Sequence, residues 1–285
     1  MKDFSEYVSR FADLVKEGKA LPLGGYPPLA RTPVPPDAPN ALFFSPHPDD
    51  ECISGGIAVR MMHESGMRVL NVAVTQGSNR VRQAERLEEL KAACSYIGFG
   101  LITTGPRGLE KINPGTRESD PGHWANCVSI ILGILQTHRP RAIMFPHEHD
   151  WNSTHIGTHL LVVDALAQMP PEFSCFLVET EFWGQMTDPN LMVEIAPQHL
   201  SNMITATSFH VGEVKRNPYH LLLPAWMMDN VRRGSELVGG QGGVAPDFTF
   251  AALYRLRKWQ RGRVEKVFEG GRQVSRGTNI GELFS

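Results

Sequence analysis

Short apolar runs alternating with helical stretches from residue 41 onward predict an α/β fold: a Rossmann-like three-layer domain with a mostly parallel sheet. Three observations carry this reading. Runs such as "ALFFSPH", "RVLNVAVTQG" and "RAIMFPH" have strand length. Segments such as "RQAERLEELKAACSYIGF" repeat their apolar residues at helical spacing. And 285 residues with 41% hydrophobic content suffice for one large α/β core.

Residues 3–17 read as a surface helix with Phe4, Tyr7, Val8, Phe11 and Leu14 on one face. The passage "LPLGGYPPLARTPVPPDAPN" holds too much proline for a helix or a central strand, so residues 1–40 form a helix and an extended arm. "ALFFSPH" is then a strand, "ISGGIAVRMMHESG" a helix, "RVLNVAVTQG" a strand, and "RQAERLEELKAACSYIGF" a helix leading to "GLITTG". A loop rich in Gly, Pro and Asp precedes the helix "WANCVSIILGILQTHRP" and the strand "RAIMFPH". "THIGTHLLVVDALAQM" and "SCFLVETEFW" continue the alternation, giving a core over 41–215. Residues 216–285 are too apolar for disorder and are expected to cap the cleft or to mediate subunit contact in a homo-oligomer.

A net charge of −2 offers nothing to attract nucleic acid or an acidic membrane surface. No apolar run reaches the roughly 18 residues of a membrane span, and the N-terminal stretch lacks the layout of a signal peptide. Cys52, Cys94, Cys127 and Cys175 are scattered with no C-x-x-C pair, which fits reduced thiols and a cytoplasmic location. Neither phosphate-cradling glycine motif of the nucleotide-binding folds is present in the required context.

The chemistry gathers at strand tips, where ligands bind in such sheets. "FFSPHPDDECISGG" puts His47, Asp49, Asp50 and Glu51 at the end of an apolar strand, where charge is costly unless compensated. His47 and Asp50 offer a nitrogen and an oxygen three residues apart, a donor pair that zinc accepts. Asp49, between them, points elsewhere and is free for proton chemistry. A catalytic zinc wants a third protein ligand and an open position for water. The tip "PHEHDWNSTHIGTH" offers His147, His149, His155 and His159; His155, in the first turn of its helix, is the choice. Arg80, in "TQGSNR" at the same sheet edge, is the candidate contact for a substrate hydroxyl or phosphate. Glu179, Glu181 and Trp183 lie at a further tip, one glutamate being a candidate to reach the cleft and Trp183 to stack on a sugar.

At these residues the sequence resembles the LmbE/PIG-L family of zinc-dependent N-deacetylases, which act mainly on N-acetylglucosamine conjugates. The resemblance rests on "PHPDDE" followed by Gly-Gly, on "TQG", on the series Arg86, Glu89, Ala93, Ile97, Gly98, and on a downstream His-x-x-x-His helix. It implies one Zn2+ per chain held by His47, Asp50 and His155, with Asp49 as general base and a small N-acetylated sugar or conjugate as substrate. The sequence departs from the family at its second motif, His-Pro-Asp-His, whose first three positions are here Asn152, Ser153 and Thr154. Asn152 can donate a hydrogen bond to an oxyanion but cannot shuttle a proton, so His149 or His210 becomes the candidate to replace the leading histidine. Two other readings share the metal centre: a hydrolase of a non-sugar acyl amide or ester, and an inactive metal- or sugar-binding protein.

Overall fold

The computed structural model describes residues 3–31 and 33–285. Five parallel strands lie in the order β3 (Gly100–Thr103), β2 (Arg68–Ala73), β1 (Asn40–Ser45), β4 (Ala142–Pro146), β5 (Cys175–Thr180). Alternate residues of each strand feed opposite cores, as strand geometry requires. Phe43 and Met144 join a cluster with α3 (Gly56–Ser65), α4 (Gln83–Ile97) and α8 (Pro197–Thr207). Leu42, Phe44, Ile143 and Phe145 pack on the other face against α6 (Pro121–His138) and α7 (Ser153–Leu166). The result is three layers, a mostly parallel sheet between helices.

Residues 216–285 add strands to the sheet and also carry Tyr219, whose hydroxyl meets Asp49. After α10 (Leu223–Leu237), the ten-residue β7 (Ala251–Gln260) runs antiparallel between β5 and β6 (Leu191–Glu194), covering the edge that β5 would otherwise expose. β8 (Arg263–Lys266) pairs with β7, and β9 (Arg272–Val274) with β6. A boundary at 215 therefore falls inside one continuous sheet. The stretch "ISGGIAVRMMHESG" also divides, into the end of a single turn, α2 (Asp50–Ile53), and α3. Gly55 allows the join: a Cβ there would lie 2.1 Å from the Glu51 carbonyl oxygen.

The N-terminal helix α1 (Ser5–Gly18) buries no residue. The arm that follows lies on the domain through Leu23, Tyr26 and Leu29, with Tyr26 edge-on to Tyr96 and Phe209. An apolar cavity of about 350 Å³ beneath it is lined by Leu29, Val34, Met67 and Ile97 among others, and none of the clusters of metal-capable groups among the described residues lies there.

Candidate active site

β1 pairs with β2 on one side and β4 on the other, so the chain leaves the carboxyl ends of β1 and β4 in opposite directions. That topological switch point is where open α/β sheets bind ligands. The turn after β1 carries His47, Asp49 and Asp50; the turn after β4 carries Asp150 and leads to His155 in the first turn of α7. Ligand atoms of His47, Asp50 and His155 all lie within 4.8 Å of one another. The Asp50 Oδ2 is 3.5 Å from His47 Nδ1 and 3.4 Å from His155 Nε2, and it accepts the His47 backbone N–H at 2.8 Å.

The donor set fits a small divalent cation. His155 is 4% exposed, and its Nε2 has no hydrogen-bond partner although it is buried. A buried, unpartnered ring nitrogen facing a carboxylate is costly unless something ligates it. Burial would push the His155 imidazole down, yet the Asp50 and Asp150 carboxylates hold it up at about 10. Burial would likewise raise Asp50, but His155 and His47 keep its carboxyl well below the usual range. Asp150 stands on the far side of the ring, its Oδ2 3.4 Å from His155 Nδ1. With a cation at the triad, this carboxylate–histidine arrangement favours the tautomer that keeps the proton on Nδ1 and offers Nε2 as a ligand atom.

Asp49 is held differently. Its φ of 124° is unusual for a residue with a Cβ, and it lies 8% exposed beside the triad. Burial and the neighbouring Asp50 charge push its carboxyl up to about 6, against the opposing effects of His210, Arg86 and a hydrogen bond from Tyr219. The Tyr219 hydroxyl donates that bond to Asp49 Oδ2. Arg86 donates to the Pro48 carbonyl at 3.0 Å, and Glu89 accepts the Gly212 N–H at 2.9 Å, so both residues hold the loops around the site.

The remaining candidates are placed as follows. Arg80 lines a cleft of about 300 Å³ together with His47, Gly77, Lys111, Asn113 and Thr154, and pairs with Glu110 at 2.8 Å. Asn152 caps α7, its side-chain oxygen accepting the Thr154 N–H at 2.9 Å. The His149 side chain is 77% exposed, with Glu148 at 3.9 Å, and does not join the triad. His210 is fully buried, with Nε2 2.9 Å from Glu51 Oε1, and faces the back of the Asp49 turn. His147 is tied to the Gly184 carbonyl and His159 to the Pro146 carbonyl. Neither strand-tip glutamate reaches the cleft: Glu179 pairs with Arg255 and Arg257, and Glu181 with Arg233. Trp183 packs edge-on to Phe182, Tyr219 and Trp151.

Sequence reasoning placed Glu51 at the strand tip without a role and missed Asp150 and Tyr219 as parts of the site. Asp150 carried a signal, being a carboxylate in the turn before a candidate ligand histidine. Tyr219 carried none, since 170 residues separate it from Asp49.

The fold is a Rossmann-like domain with His47, Asp50 and His155, a group that could hold a cation, at its strand switch point. Residues 42–166 match the family model PIG-L, described as GlcNAc-PI de-N-acetylase, so the resemblance read from "PHPDDE" holds over this segment. No curated protein matches the chain. Among solved structures, N,N'-diacetylchitobiose deacetylase from Pyrococcus horikoshii aligns with a TM-score of 0.57 at 17% identity, covering 92% of this chain and 96% of that one. GalB, the 4-carboxy-2-hydroxymuconate hydratase of Pseudomonas putida KT2440, aligns at 0.55 and 15%, covering 76% and 95%. The zinc-inhibited form of teicoplanin deacetylase Orf2 aligns at 0.52 and 13%, covering 77% and 98%. At these identities the likeness concerns the fold.

Proposed function

We propose that this protein is a zinc-dependent N-deacetylase that removes an acetyl group from the amide nitrogen of an N-acetylglucosamine-type sugar or conjugate. The observation that carries the reading is the buried, unpartnered Nε2 of His155 facing Asp50, with His47 completing the set and Asp49 beside it. Bound by His47, Asp50 and His155, one Zn2+ would polarise a water and the amide carbonyl, lowering the water's pKa from near 16 toward about 7.

Asp49 takes the proton from the attacking water and returns it to the departing amine, so that acetate and a free amino sugar leave. The Asn152 amide nitrogen remains available to donate to the oxyanion after its oxygen has capped α7. Arg80 at the cleft wall contacts the sugar's hydroxyl or phosphate groups. Neither His149, standing in solvent, nor His210, sealed against Glu51, takes the acid role in this scheme. Four buried free cysteines accord with a cytoplasmic location. Among the described residues no helix is long and apolar enough to cross a membrane.

The test is acetate release from N-acetylglucosamine conjugates, N-acetyl amino acids and aryl esters by zinc-loaded protein, alongside two variants. His47→Ala should lose the metal by elemental analysis. Asp49→Asn should keep it and lose roughly a hundredfold or more in rate. A metal-loaded protein that releases nothing from any of these would favour the binding-protein reading. Release confined to the amino acids or esters would make it a hydrolase of another acyl group.

A further inference from the structure

Asp49 sits at φ 124° and ψ −29°, a region that residues with a Cβ adopt only where their surroundings impose it. The backbone N–H of Asp49 donates to Glu51 Oε2 at 3.0 Å. The other oxygen of that carboxylate, Oε1, lies 2.9 Å from His210 Nε2 and accepts the Cys52 thiol at 3.1 Å. Glu51 and His210 are both 0% exposed. His210 is itself fixed, its N–H bonded to the Thr207 carbonyl at 3.0 Å and its carbonyl accepting from Glu213 and Val214 as α9 (Val211–Arg216) begins.

Ligand atoms of Glu51, Cys52 and His210 also fall within 4.8 Å of one another, which raises the question of a second cation. Both Glu51 oxygens are already taken by hydrogen bonds, and the group has no exposed atom through which an ion could be exchanged. The geometry points to a clamp instead. We infer that His210 is a positioning residue: acting through Glu51, it holds the Asp49 backbone in the left-handed region and so aims the Asp49 carboxylate at the water over the triad. This rests on the reading of Asp49 as the base. The buried imidazole touches no position a substrate can occupy, and its only side-chain hydrogen bond runs to Glu51, whose other oxygen holds the Asp49 N–H.

The expected behaviour of His210→Ala is a kcat lower by roughly 10- to 100-fold, the scale on which small misplacements of a reacting group are felt, with KM and metal content near wild type. His210→Gln, which keeps an N–H donor for Glu51, should recover most of that loss. Glu51→Gln keeps the volume but turns one acceptor into a donor facing Asp49 or His210; it should behave like His210→Ala, and it carries the test if the alanine variant does not fold. A crystal structure of either impaired variant, with or without metal, should show Asp49 φ leaving the positive region. In an Asp49→Asn background, His210→Ala should cost less than about a further twofold, since the group being positioned has already lost its function. Wild-type kcat with Asp49 unmoved, or full multiplicative loss in the Asp49→Asn background, would overturn the inference. Wild-type activity of Asp49→Asn alone would overturn the reading of the base, leaving the Asp49 backbone geometry in the variants to decide the clamp.

Discussion

Substituting Asn for Asp150 changes one oxygen of the site into an N–H donor and leaves every proposed ligand in place. Asp150 is 3% exposed and meets three partners: Oδ1 accepts the Asn152 N–H at 2.8 Å, while Oδ2 accepts the Gly184 N–H at 3.2 Å and lies 3.4 Å from His155 Nδ1. If the new amide nitrogen takes the Oδ2 position, it donates toward His155 Nδ1. The ring proton must then move to Nε2, the atom that faces Asp50 and would hold the cation. The same nitrogen would also confront the Gly184 N–H, donor against donor. If the amide flips, it confronts the Asn152 N–H at the start of α7 instead. Either placement costs metal affinity, and substitutions of such outer partners typically cost 10- to 100-fold, or about 1.4–2.7 kcal/mol. Competition with a chromophoric chelator at neutral pH measures this directly, with a melting curve to show that the fold is intact. Saturating zinc should restore part of the acetate release. A folded Asp150→Asn protein that binds zinc as tightly as wild type would refute the tautomer argument.

Two further outcomes are expected. Tyr219→Phe removes the hydroxyl that donates to Asp49 Oδ2; hydrogen bonds to charged groups are worth about 1.5–3 kcal/mol, so kcat should fall roughly 10- to 100-fold with metal content unchanged, and an unaltered kcat would detach Tyr219 from the reaction. Glu148 is depressed to about 2: burial would raise it, but its own backbone hydrogen bond and Arg255 outweigh that. A depressed carboxyl stabilises the fold above its unfolded pKa near 4.5 and loses that stabilisation as pH falls toward 2, so the gap in unfolding free energy between wild type and Glu148→Gln should be present at pH 7, about 1–2 kcal/mol allowing for partial exposure, and close across pH 4.5 to 2. A gap independent of pH would mean that Glu148 acts through packing alone.

The legible parts of this protein are those in which the informative residues lie close together in the chain. His47, Asp49 and Asp50 fall within five residues of a strand end, and the strand–helix alternation sets them at a ligand-binding edge. His155 follows from helical spacing at the neighbouring tip, because β1 and β4 are adjacent and parallel. The placement of β7 between β5 and β6 had no comparable signal. Its first six residues are all buried although the run includes Arg255, and nothing in sequence order says that the chain returns between two earlier strands. His149 illustrates a second limit. Period-2 reasoning at a strand tip assumes that the strand continues, but β4 ends at Pro146, and two positions on Glu148 pairs with Arg255 of β7 while His149 turns outward. Asn152 was readable in part: an Asn before Ser-Thr-His at a helix start is a capping signal, and its side-chain oxygen makes that cap.

The chain divides chemistry from positioning. Every proposed zinc ligand and the proposed base lie within residues 42–166, the segment that matches the family model. The Asp49 turn, however, is held by His210 through Glu51 and by Tyr219 from the other side, across separations of 159 and 170 residues. These contacts can form only after α8 and α9 have docked and the chain has continued into the turn at Tyr219–Leu222. A fragment ending near residue 166 would contain the groups proposed to ligate and react, but not His210 and Tyr219, which meet Glu51 and Asp49. The backbone of Asp49 would then relax toward ordinary values, and its carboxylate would lose its direction relative to the triad. For the same reason the first motif is a strong guide to what reacts and a weak one to how well it is aimed. The aim is set by residues whose types, a buried histidine and a tyrosine beneath an aromatic cluster, read in isolation as ordinary core.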